Sequence, residues 1–137
     1  MSTSWIASLL KVRGIQEDQA ASTLAQANAR VSAHASRAAK ERALLEDHGG
    51  QVTLAAAGIA RAASYGYLAD IRAAQQIASS EVEVATAGMQ AARQARRSAE
   101  LLRDRHEARA AELRNRMDQN ELDELASTAH HRRQKEV

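Results

Sequence analysis

The chain has 137 residues, a formal charge of +2 from 19 basic and 17 acidic side chains, and neither proline nor cysteine. Without cysteine there is no disulfide framework and no thiolate zinc site, and a near-balanced charge gives no broad basic footprint for nucleic acid. Alanine, the best helix former, fills 32 positions, while there is no Phe, one Trp (Trp5) and two Tyr (Tyr65, Tyr67), so the composition predicts long helices around a thin seam rather than a globular core.

Ser2, Thr3 and Ser4 are all N-cap residues, and Trp5, Ile6, Leu9 and Leu10 follow at helical spacing. Only Gly14 interrupts the chain from there to Asp47. Leu10, Leu24, Val31, Ala38 and Leu45 fall on one line at multiples of seven, with Glu17 the polar member of that line. Seven-residue spacing keeps one seam facing one partner, which is the coiled-coil period. The first helix is therefore expected over about 4–47.

His48-Gly49-Gly50 is the clearest break, and residues 48–52 read as a C-cap and turn. Thr53 is the expected N-cap of a second helix over about 53–130. Gly58 and Gly66 interrupt its first turns, and Ser64-Tyr65-Gly66 reads as a place for a kink. Beyond that, alternating steps of three and four from Leu68 to Met117 meet apolar residues at eleven of fifteen positions, the exceptions being Gln75, Arg96, Arg103 and His106. A helix face at period 3.5 accounts for that pattern and a strand does not. The tail from His130 reads as frayed.

The fold expected is all-α: a long antiparallel coiled-coil hairpin in one domain, its second arm longer. At 1.5 Å per residue the arms reach about 66 Å and about 115 Å. The most apolar run, Val52 to Ala60, is far short of the roughly 20 residues that span a bilayer. The N-terminal stretch lacks the basic n-region of a signal peptide, so the chain reads as soluble and intracellular.

Catalytic and metal chemistry find no support in the residues. The glycines have no phosphate-cradling spacing, and no two of the five histidines stand four apart on a helix with a carboxylate between. A two-helix rod offers no water-excluding pocket in which to activate a nucleophile. The expectation is a protein that is not an enzyme, with no catalytic residue, metal or cofactor.

Two surfaces carry more information. Arg93, Arg96, Arg97, Arg103, Arg105, Arg109, Arg114 and Arg116 are offset by only Glu100, Asp104, Glu107 and Glu112. They form either a solvated face with local pairs among neighbours such as Glu100, Asp104 and Arg109, or a surface for an acidic or backbone-lined socket on another protein. No aromatic side chain is near to stack a base, which argues against nucleic acid. Tyr65, Tyr67, Leu68 and Ile71 form the one aromatic cluster, read as core packing or as an interface anchor. Trp5, at the opposite end, reads as a hydrophobic staple or as a side chain inserted into a partner.

The run Leu10-Lys11-Val12-Arg13-Gly14-Ile15-Gln16-Glu17-Asp18-Gln19-Ala20-Ala21, followed by Leu24 and Ala27, resembles the opening of the bacterial flagellar FliJ family, and Glu121-Leu122-Asp123-Glu124-Leu125-Ala126 resembles its ending. The order of parts also matches: helix, turn, longer charged helix, short basic tail. The resemblance implies a component of the flagellar type III export apparatus, in the cytoplasm and at the cytoplasmic face of the inner membrane. It implies a stalk that enters and promotes the export ATPase ring and links it to the membrane export gate and to export chaperones. The ATPase end would comprise Arg13, Gln16 and Glu17 on the first helix with Arg93, Arg97, Asp123 and Glu124 on the second. The gate face would be Tyr67, Ile71, Ala74 and Ala78, with tyrosine for the family's phenylalanine and alanine in place of a polar residue at the last position. The alternative is a generic coiled-coil adaptor or dimer unrelated to secretion, and a third reading is an amphipathic helix on anionic membrane.

Overall fold

The structure, a computed structural model, describes residues 4–47 and 53–137. They form two helices, α1 (Ser4–Asp47) and α2 (Leu54–Lys135), packed along each other. The expected turn at His48-Gly49-Gly50 and the caps Ser2 and Thr3 lie outside the described residues. Two ion pairs set direction and register: Glu17 meets Arg96 at 2.9 Å and Arg30 meets Glu81 at 3.1 Å. Position along α1 rises as position along α2 falls, so the arms are antiparallel.

The inner side of α1 carries two heptad lines. One is the expected line through Leu10, Glu17, Leu24, Val31, Ala38 and Leu45; the other runs through Ile6, Arg13, Ala20, Ala27, His34 and Glu41, and every member of both is buried or half-buried. The second line escaped the sequence reading because half of it is polar. On α2 the inward positions are Ser64, Leu68, Ala78, Ala85, Met89 and Ala99. Alanine on both sides lets the helix axes approach closely, but it buries little area per contact, and stabilisation follows the apolar area removed from water.

Two expectations about α2 differ from what forms, and a third, Thr53 at the N-cap, holds in position without a side-chain bond. The helix runs through Gly58 and Gly66 without a break, since a glycine in a helix interior costs only about 1 kcal/mol. Thr53 stands at the N-cap, yet its side chain makes no capping bond; its carbonyl accepts from the Ala57 amide at 2.9 Å. The helix continues to Lys135 instead of fraying at His130, with Arg132, Arg133 and Lys135 in the last turn, where cations complement the helix dipole.

Burial on α2 stops at Ala111, and every residue beyond it is exposed. The register of the two ion pairs brings Ser4, the first described residue of α1, level with about residue 109, so no described residue of α1 lies beside α2 beyond that level. Leu113 and Met117, on the expected seam, are therefore solvent-facing, as are Leu122 and Leu125.

Candidate interaction surfaces

The polar members of the two seams meet each other. Glu17 and Arg96 each interrupt an apolar heptad line, and the Arg96 Nη1 donates to Glu17 Oε2 while its Nε donates to Glu100 Oε1 at 3.2 Å. The hydrogen bond to Glu17, then the charges of Glu17 and Glu100, hold the guanidinium pKa above its ordinary value. Arg96 is thus a permanent cation that bridges the arms at one level. Such a pair specifies register more than stability, because half-exposed ion pairs are weak and screened.

Around this bridge Glu17, Arg93, Arg97 and Glu100 line one shallow depression. Of the residues expected at an ATPase end, the structure therefore unites Glu17, Arg93 and Arg97. Arg13 is half-buried on the seam and donates to Gln16 Oε1 at 3.0 Å. Gln16 stands one and two heptads from Thr23 and Arg30, on the other flank of the hairpin from Arg93 and Arg97. Asp123 and Glu124 lie on the overhanging part of α2, about 39 Å further along the axis than Arg97 at 1.5 Å per residue. Asp123 accepts a hydrogen bond from Gln119 at 3.2 Å, and both acidic side chains are exposed. The seven residues fall in three places rather than one patch: Glu17 with Arg93 and Arg97, Arg13 with Gln16, and Asp123 with Glu124.

The arginine stretch is paired only in part. Arg96–Glu100 and Arg116–Glu112 are i,i+4 pairs and Arg103 holds Asp104, whereas Arg93, Arg97, Arg105, Arg109 and Arg114 have no ion-pair partner among the described residues. The expected pairing of Arg109 with Glu100 or Asp104 does not form.

The four gate-face residues divide by heptad line. Tyr67 is 62% exposed and, with Ala74, belongs to a flank; Ile71 is half-buried, and Ala78, 3% exposed, faces α1 on the seam. Tyr65 is also exposed, so of the aromatic cluster only Leu68 and Ile71 pack inward, and the core reading fails for both tyrosines. Trp5 is half-exposed.

The sequence reading missed a row of exposed apolar side chains one step off the seam: Val12, Leu44, Ile77, Val84 and Leu102. The signal was present in the seven-residue spacings Trp5–Val12 and Ile77–Val84, which a search for one seam passes over. No group of three or more His, Cys, Asp or Glu could hold a metal ion among the described residues, and no described helix is long and apolar enough to cross a membrane.

Compared with known families, residues 4–135 match the model of the flagellar FliJ protein. No curated protein and no solved structure matches the chain.

Proposed function

Because the chain belongs to the flagellar FliJ family, and is thereby a component of flagellar protein export, we propose that it acts as a non-enzymatic shaft for the export ATPase. The single observation that carries this reading is the unequal antiparallel hairpin, whose longer arm runs on alone past Ala111. A single exposed helix ending a two-stranded rod can enter a ring that the full hairpin is too wide to enter. In this reading Asp123 and Glu124 on the overhang, and Glu17, Arg93 and Arg97 where the second arm joins, contact the ATPase. The unpaired Arg93 and Arg97 suit acidic or carbonyl groups of a ring lining, through the planar fork of donors on each guanidinium. Tyr67 and Ala74, at the other end of the rod, contact the export gate beside Ile71, while Ala78 acts through packing. Export chaperones are further partners, and the working location is the cytoplasmic face of the inner membrane.

The test is ATP hydrolysis by the cognate export ATPase at fixed concentration, with and without this protein. The intact chain is expected to raise the rate and the fraction of assembled rings, and a chain ending at Ala111 is expected to do neither. An unchanged rate with the intact protein would remove the shaft role.

A further inference from the structure

The two flanks of the hairpin differ in chemistry. One presents Lys11, Asp18, Glu83, Arg93 and Arg97. The other presents Trp5, Val12 and Leu44 from α1 with Ile77, Val84 and Leu102 from α2; Ile77 is 63% and Val84 74% exposed. At its middle lies an open groove of about 670 Å³ between Ala20, Thr23 and Ala27 on α1 and Ile77, Val84 and Gly88 on α2, with the Arg30–Glu81 ion pair, its two charges satisfied by each other, at one end. The groove's hydroxyls are turned to their own backbone: Thr23 Oγ1 donates to the Gln19 carbonyl at 2.9 Å and Ser80 Oγ to the Gln76 carbonyl at 3.1 Å. A Cβ at Gly88 would meet nothing within 4 Å, so the groove is open there. A single-sided apolar strip of this length is the mark of an interface.

We propose that this flank is the contact surface of a homodimer, two hairpins stacked face to face and antiparallel about a two-fold axis at Gly88. The flank is complementary to itself, as an isologous interface requires. The axis lays α2 on α2 and pairs residues nearly equidistant from Gly88. Asp70 then faces Arg105 of the second copy, and neither has an ion-pair partner among the described residues of its own chain. Tyr67 comes opposite Arg109, a cation over an aromatic ring. On α1 the level of Gly88 is about Leu24, and Trp5 and Leu44 stand nearly equally far from it, 19 and 20 residues away, so they come together. Along these lines no two like charges fall opposite each other. The small residues Ala20, Ala27 and Gly88 sit where the layers cross. A face about 60 Å long and about 15 Å wide amounts to about 900 Å² per copy, against about 800 Å² in a standard stable interface.

The dimer covers Tyr67 and Ala74, the residues assigned above to the gate, and leaves the two overhangs of α2 pointing in opposite directions. It is therefore a reserve form that gate binding must open. Its existence does not depend on the shaft role, since neither ATPase nor gate enters the measurement.

The experiment is sedimentation of the full chain from micromolar to millimolar concentration. A monomer–dimer equilibrium is expected, with Trp5 fluorescence shifting to the blue as dimer forms. Asp70→Arg and Arg105→Asp should each weaken association by about tenfold or more, because each sets like charges opposite one another. An equimolar mixture of the two should restore it, since every facing pair is then opposite in sign. Gly88→Leu should block the crossing while helicity stays unchanged. A wild-type chain that remains monomeric throughout overturns the proposal. So do single variants that associate as the wild type does, or a mixture that fails to recover while both variants keep full helicity.

Discussion

Alanine does at the residue scale what leucine does in ordinary coiled coils, and the consequence is a seam sensitive to size. Ala27 and Ala38 are 1% and 2% exposed, covered by the facing arm. Ala27→Leu forces the arms apart, and overpacking of this kind costs about 1–3 kcal/mol; urea unfolding followed by circular dichroism should show the midpoint falling. The same change at exposed Ala25 should leave the midpoint in place, and equal effects at the two sites would mean that the seam is not where the burial puts it. The gate face allows a sharper separation. Tyr67→Ala removes an exposed side chain and should weaken capture by the export gate without loss of helicity, whereas Ile71→Ala should reduce both binding and stability because Ile71 is half within the seam. Undiminished capture by Tyr67→Ala would take the gate contact away from this flank.

The elements differ in what sustains them. Between Leu68 and Ala110 each turn of α2 rests on α1, but past Ala111 the helix depends on intrinsic propensity and on local pairs such as Arg116–Glu112 and Gln119–Asp123. In proteins most helical stability comes from tertiary packing, which this stretch lacks. Amide hydrogen exchange should therefore be fast over residues 112–135 and slow around Ala27, Ala38, Ala85 and Met89. Ending the chain at Ala111 should change the unfolding free energy of the remainder by less than about 0.5 kcal/mol, the range typical of changes remote from packing. A large loss of hairpin stability on that truncation would show that the overhang folds back on the rod.

For the whole molecule, two arms of unequal length make a rod rather than a domain with an interior. At 1.5 Å per residue α2 alone extends about 123 Å, so small-angle scattering in the dilute limit should give a maximum dimension near that value; one closer to about 70 Å would mean that the long arm bends back. The all-α class, the unequal arms and the seam from Leu68 to Ala110 were legible in the residues, because proline's absence and heptad spacing act through local backbone geometry that needs no partner. The family resemblance was legible in the runs Leu10–Ala21 and Glu121–Ala126, and the match over residues 4–135 agrees with it. Other features depend on which residue comes level with which across the arms, a long-range relation that spacing within one helix does not contain. The meeting of Glu17 with Arg96, the end of burial at Ala111 and the separation of Gln16 from Arg93 and Arg97 are of this kind. Sequence alone determined that this chain forms two long helices with a narrow apolar seam. Only the tertiary structure decided the register between them, and with it which side chains are covered and which remain free to meet another protein.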